Sequence, residues 1–160
     1  MGYINPLFKN TEITKKDTKG PIKDRSKEQL SQPARAVRKD KTHNIKFPLT
    51  SVQQMKLRSY CKQAARIYKN KRIEPLSQTK FNNALLRFGL KNEELIHWDM
   101  PYRDSKIYMH SNITEIEYQD IGGPFGLSVR KNLSDRKTVY FIILSVLGWL
   151  ESGGDLEKIL

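Results

Sequence analysis

The spacing of apolar residues divides the chain into an unpatterned start and a patterned remainder. After Ile13, the only large apolar side chains before residue 42 are Ile22, Leu30 and Val37. Such a segment cannot bury enough surface to offset its ordering entropy. Residues 1–42 are therefore expected to form a disordered basic arm, either ordering "PARAVRKDKTH" against a polyanion or serving as a solubilising tail. At "NIKFPLT" the pattern becomes alternating. Ile45, Phe47 and Leu49 share one face and Asn44, Lys46 and Pro48 the other, which predicts a short half-buried strand.

Helical spacing follows at once. Thr50 or Ser51 supplies an N-cap, and Leu57, Tyr60, Cys61, Ala64, Ile67 and Tyr68 recur at three- and four-residue steps to about Lys69. Pro75 breaks the pattern, and Ser77 caps a second helix with Phe81, Ala84, Leu85 and Phe88 on its apolar face. Gly89 is expected to stop it. Beyond lie two expected strands, "KIYMH" and "TEIEYQDI", and the turn "GGPFG". Ser134 or Asp135 then caps a helix to about Glu151, and "DLEKIL" forms a last turn. The helix is apolar on nearly every side, so a subunit interface is expected to bury it. No internal repeat is evident.

A lone strand needs a partner. A symmetry mate would provide one, giving a two-stranded antiparallel ribbon across a twofold axis. Charge bears on what that ribbon would face. The chain carries a net +12, which favours an acidic partner. Residues 1–43 hold eleven basic against five acidic side chains, residues 44–100 eleven against four, and residues 101–160 seven against eight. The longest apolar run, within "TVYFIILSVLGWL", is too short to span a bilayer, and no signal-peptide core is present. A cytoplasmic setting without membrane contact is expected.

Catalytic chemistry finds little support. His43, His97 and His110 lack helical metal-ligand spacing, and Cys61, the only cysteine, lies on an apolar stripe. "DIGGPFG" lacks the lysine and hydroxyl of a phosphate-binding loop. Asp99 and Asp104 in "HWDMPYRD" have nothing that fixes their convergence on an ion. No enzyme activity, cofactor or metal is expected. A two-stranded ribbon, in contrast, fits the DNA major groove. Lys46 could donate to guanine and Asn44 to adenine, with free N–H groups near Ser77 meeting a phosphate.

Residues 44–90 resemble a ribbon-helix-helix domain of the Arc/MetJ repressor type. The likeness rests on the "NIKFPLT" strand, the capping "TS", the striped helix and "SQTKFNNALLRFGL". It implies a mainly α fold with short β: a dimeric DNA-binding domain over residues 43–92, and an α+β oligomerisation or docking module over 93–160. It implies base contacts from Asn44, Lys46 and Pro48, and phosphate contacts from Thr50, Ser51, Ser77, Gln78, Thr79 and Lys80. Arg38, Lys39 and Lys41 of the arm would add phosphate contacts. The implied partners are double-stranded DNA, a second copy of the chain (or a tetramer through residues 101–160), and a protein docked on the C-terminal module. The implied role is bacterial or phage transcriptional regulation, or alternatively a relaxosome accessory in plasmid conjugation. A non-DNA adaptor is a third alternative.

Overall fold

The computed structural model describes Arg38, residues 40–71 and residues 74–160. Lys39 and the rest of the arm lie outside the described residues. The order is β1 (Thr42–Pro48), α1 (Ser51–Lys71), α2 (Gln78–Lys91), β2 (Tyr108–Thr114), α3 (Glu115–Gly122), α4 (Leu127–Arg130) and α5 (Asp135–Glu151). Short 3-10 turns occupy Glu93–Leu95 and Leu156–Lys158. The described protein is mainly helical with one two-stranded antiparallel sheet, which matches the coarse fold class expected.

The partner of β1 differs from the expectation. β1 pairs with β2 of the same chain, with Asn44 opposite Asn112 and Lys46 opposite His110. Met109, Ser111 and Ile113 give β2 a buried face to match Ile45, Phe47 and Leu49, so the pair can close over a common core. Leu49 N–H donates to the Ile107 carbonyl at 2.9 Å, and Glu115 N–H to that of Lys41 at 3.0 Å. These bonds fix the parity of the ladder: Thr42, Asn44, Lys46 and Pro48 turn their backbone polar groups away from β2. The N–H that Pro48 lacks is therefore one the ladder never needs.

The outer edge of β2 is closed by side chains of α2. Asn83 Nδ2 donates to the Asn112 carbonyl at 2.5 Å, while its Oδ1 accepts from Asn112 N–H at 2.8 Å and from Ser111 Oγ at 2.8 Å. Asn82 Nδ2 donates to the His110 carbonyl at 2.8 Å. Both asparagines are buried, and each meets the requirement that a buried amide find partners.

α5 lies at the centre. Its residues 138–147 and Leu150 are buried within the chain against α2, β1 and the smaller helices. The apolar circumference that pointed to a subunit interface is thus covered internally, because α2 and the ribbon sit on it. Gly89 belongs to this contact. α2 continues past it to Lys91, capped by Asn92, and a Cβ at Gly89 would collide with Ile142 Cγ2 of α5 and lie 3.2 Å from Val146 Cγ2. The glycine marks a close helix crossing and does not stop the helix. One hydrophobic core runs through both segments that were expected as separate modules, and all the described residues fall in the compact unit Val37–Leu160.

"TEIEYQDI" is helical, not a strand, because Thr114 starts a capping box. Thr114 N–H donates to Glu117 Oε2 at 2.9 Å, and Glu117 N–H to Thr114 Oγ1 at 3.4 Å. The start of α1 has the same arrangement. Thr50 N–H donates to Gln53 Oε1 at 2.8 Å, and Gln53 N–H to Thr50 Oγ1 at 3.3 Å. The second helices also begin alike: Ser77 Oγ caps the Lys80 N–H of α2, and Ser134 Oγ caps the Lys137 N–H of α5. The chain thus runs strand, capped helix, serine-capped helix, twice, with the four-residue α4 added between the two helices of the second run. Sequence inspection misses this repeat because it lies in caps and periodicity and scarcely at all in residue identity.

Candidate functional site

Pairing puts Asn44 and Lys46 on one outward face with His110 and Asn112. All four are exposed, as are Thr42 and Thr114 at the end of the ribbon. They form non-hydrogen-bonded pairs, in which facing side chains approach most closely. His110 Nδ1 lies 3.0 Å from Asn44 Oδ1, a diagonal contact between the strands. Lys46 has no ion pair among the described residues, so its ammonium stays available to an incoming acceptor. Alternating side chains on a pleated strand explain the arrangement: the buried set anchors the ribbon and thereby aims the polar set outward.

Pro48 is a correction. It occupies an outward register position opposite Tyr108, yet it is buried. A covered pyrrolidine ring cannot touch a base edge. Tyr108 is 40% exposed, with the Arg136 guanidinium 4.7 Å above its ring. The ribbon therefore has an amide end, Asn44 with Asn112, and an aromatic end, Pro48 with Tyr108.

The expected phosphate ligands are dispersed and mostly engaged. Thr50 spends its hydroxyl and N–H on Gln53, while Ser51 is exposed. Ser77 accepts from Lys80 N–H at 3.2 Å, and Gln78 donates to Asn82 at 3.0 Å. Thr79 is half-buried. Lys80 Nζ pairs with Glu74 at 2.7 Å, and that hydrogen bond raises the lysine pKa above its ordinary value. Arg38 pairs with Asp40 at 3.1 Å and Lys41 with Glu115 at 3.2 Å. More cationic surface lies on α1, where Lys56, Arg58, Lys62, Arg66 and Lys69 are all exposed and no acidic residue occurs. Among them Lys56 pairs with Glu151 at 2.6 Å.

His110 and Asn112 are the outward-face residues that sequence reasoning missed. The alternation of Met109, Ser111 and Ile113, followed by the Thr114–Glu117 capping box, was the signal that could have found them. Of the two aspartates in "HWDMPYRD", Asp104 pairs with Arg136 at 3.3 Å. Among the described residues no three His, Cys, Asp or Glu side chains gather as a metal would require, and no helix is long and apolar enough to cross a membrane.

A polar cluster ties the start of α3 to the rest. His43 stacks on Tyr118 with ring centroids 3.8 Å apart, and His43 Nε2 lies 2.5 Å from Glu115 Oε2. Hydrogen bonds from His43 and Lys41 hold the Glu115 carboxyl below its ordinary value of 4.5. Burial pulls the Glu117 carboxyl upward, but hydrogen bonds from Arg87 and Thr114 outweigh it and leave the pKa lowered. A depressed carboxylate stabilises the fold fully above its unfolded pKa, and that contribution is lost as pH falls through the folded value. Urea midpoints should thus decline once pH drops below the ordinary carboxylate range. Glu117→Gln should lower the midpoint at neutral pH and flatten the acid decline, whereas parallel curves would rule out the linkage.

No protein-family model, curated protein or solved structure matches this chain.

Proposed function

We propose that the protein binds double-stranded DNA sequence-specifically, laying the β1–β2 ribbon in the major groove, and acts as a transcriptional regulator. The carrying observation is the outward ribbon face: Asn44, Lys46, His110 and Asn112, all solvated hydrogen-bonding side chains on a two-stranded element. The major groove admits such a ribbon, lysine pairs with guanine O6/N7, and asparagine pairs with adenine N6/N7. Exposed cations of α1 and the basic excess before residue 101 supply the sequence-independent attraction to phosphate. On this reading the fold is a ribbon-helix-helix arrangement whose ribbon comes from one chain. A role in DNA transfer would use the same face, and the location of the bound site, at a promoter or an origin, separates the two.

The test is selection of bound duplexes from a random pool, followed by titration of the selected duplex and a scrambled one. Lys46→Ala should weaken the selected duplex by about 1–3 kcal/mol and the scrambled one much less. Affinity for both should fall steeply with salt, by about 0.9 log units per tenfold salt for each phosphate neutralised. If Lys46→Ala binds both duplexes as the wild type does, base reading by the ribbon is wrong.

A further inference from the structure

Lys46 and His110 face each other in the ladder, and each stands four residues before its capping threonine, Thr50 or Thr114. The two residues are therefore equivalent in the two strand–helix–helix halves, and a local twofold axis passes between them. The same shift makes Asn44 equivalent to Tyr108 and Pro48 to Asn112. Packing follows the same exchange: α2 lies against β2, α5 lies against β1, and the two cross at Gly89. One chain contains both halves of what would otherwise be a dimeric reading head.

The halves match in backbone but not in chemistry. Their outward sets are Asn44, Lys46 and Pro48 in one, and Tyr108, His110 and Asn112 in the other; no position carries the same side chain. Both amides fall at one end of the ribbon, and the aromatic ring with the buried proline at the other. The first helices differ as well. α1 is an unbroken 21-residue helix with five exposed cations and no acid. Its counterpart is split into α3 and α4 and carries Glu115, Glu117 and Asp120. A palindromic site would present identical base edges to these unlike halves.

We infer, building on the DNA-binding reading, that a single chain is the complete binding unit and recognises a non-palindromic duplex. The core it reads spans about four base pairs, since residues 44 to 48 cover about 13 Å at ~3.3 Å per residue against ~3.4 Å per base pair. Asparagine chemistry places adenine at the amide end and lysine chemistry places guanine near the centre. The aromatic end offers Tyr108 in place of an amide and tolerates more sequences. The α1 side carries the stronger phosphate attraction, so flanking duplex on that side matters more.

Native mass spectrometry of the full chain, alone and with the selected duplex, tests this together with the symmetry of the selected sequence. Expected are a monomeric free chain, a one-to-one complex and a consensus without a dyad. Asn44→Ala and Asn112→Ala should each cut affinity about 5- to 100-fold and relax preference at the same end of the core. Tyr108→Ala should leave that end's preference unchanged. A palindromic consensus held by two chains overturns this inference while leaving DNA binding intact, and relaxation at opposite ends by the two asparagine variants overturns it too. A pool from which nothing is enriched, even at low salt, removes the DNA reading and this inference with it. Thermal melts of each variant separate lost contacts from lost folding.

Discussion

Asn83→Ala is expected to destabilise the protein by about 2–4 kcal/mol, read as a lower urea midpoint with unchanged slope. The side chain makes three hydrogen bonds, to both backbone groups of Asn112 and to the Ser111 hydroxyl. Truncation leaves those groups without protein partners at the edge of β2, where Ser111 is fully buried. Each buried polar group left unpaired costs about 1–3 kcal/mol, with water at the exposed Asn112 reducing the total. Asn83→Leu distinguishes hydrogen bonding from packing, since leucine restores volume but no donor or acceptor. If leucine recovers most of the loss, the edge is held by packing and the hydrogen-bond account fails. If the account holds, both variants should also weaken the proposed DNA binding, because β2 carries half of the outward face.

Gly89→Val should cost about 3 kcal/mol or prevent folding. The added branch enters the space of Ile142 and Val146 at the α2–α5 crossing, deep in the core, and overpacking of this kind typically costs about 1–3 kcal/mol. Against it stands the helix preference of non-glycine residues, worth up to about 1 kcal/mol for Gly→Ala and less for a β-branched side chain. The clash therefore wins. Ile142→Ala removes the colliding methyl group, so the double variant should be more stable than the sum of the two single losses predicts. Additive losses would mean that α5 already moves away and that the crossing is not set by this glycine.

Much of the local structure was legible in the sequence. Alternation in "NIKFPLT" located β1 and its outward residues, Ser77 located α2, and Ser134 located α5. These features are local: side-chain period and cap hydrogen bonds operate within a few residues. "TEIEYQDI" was misread because its two-residue alternation competes with a capping box. The box wins by satisfying two backbone donors at the start of α3.

What the sequence could not decide was which surfaces meet. It fixed by its own chemistry a half-buried strand with Asn44 and Lys46 turned outward, a basic α1 and an α5 too apolar to stand alone. Only the tertiary structure decided that β1 pairs with β2, that α5 lies under α2 and the ribbon, and that Gly89 is a crossing point. A strand's hydrogen-bonding edge is the same whatever chain supplies its partner, so nothing local distinguishes a second copy from a segment some sixty residues downstream. The choice falls to the global burial of apolar surface, and among the described residues Ile45, Phe47 and Leu49 share one core with Met109 and Ile113 of the same chain.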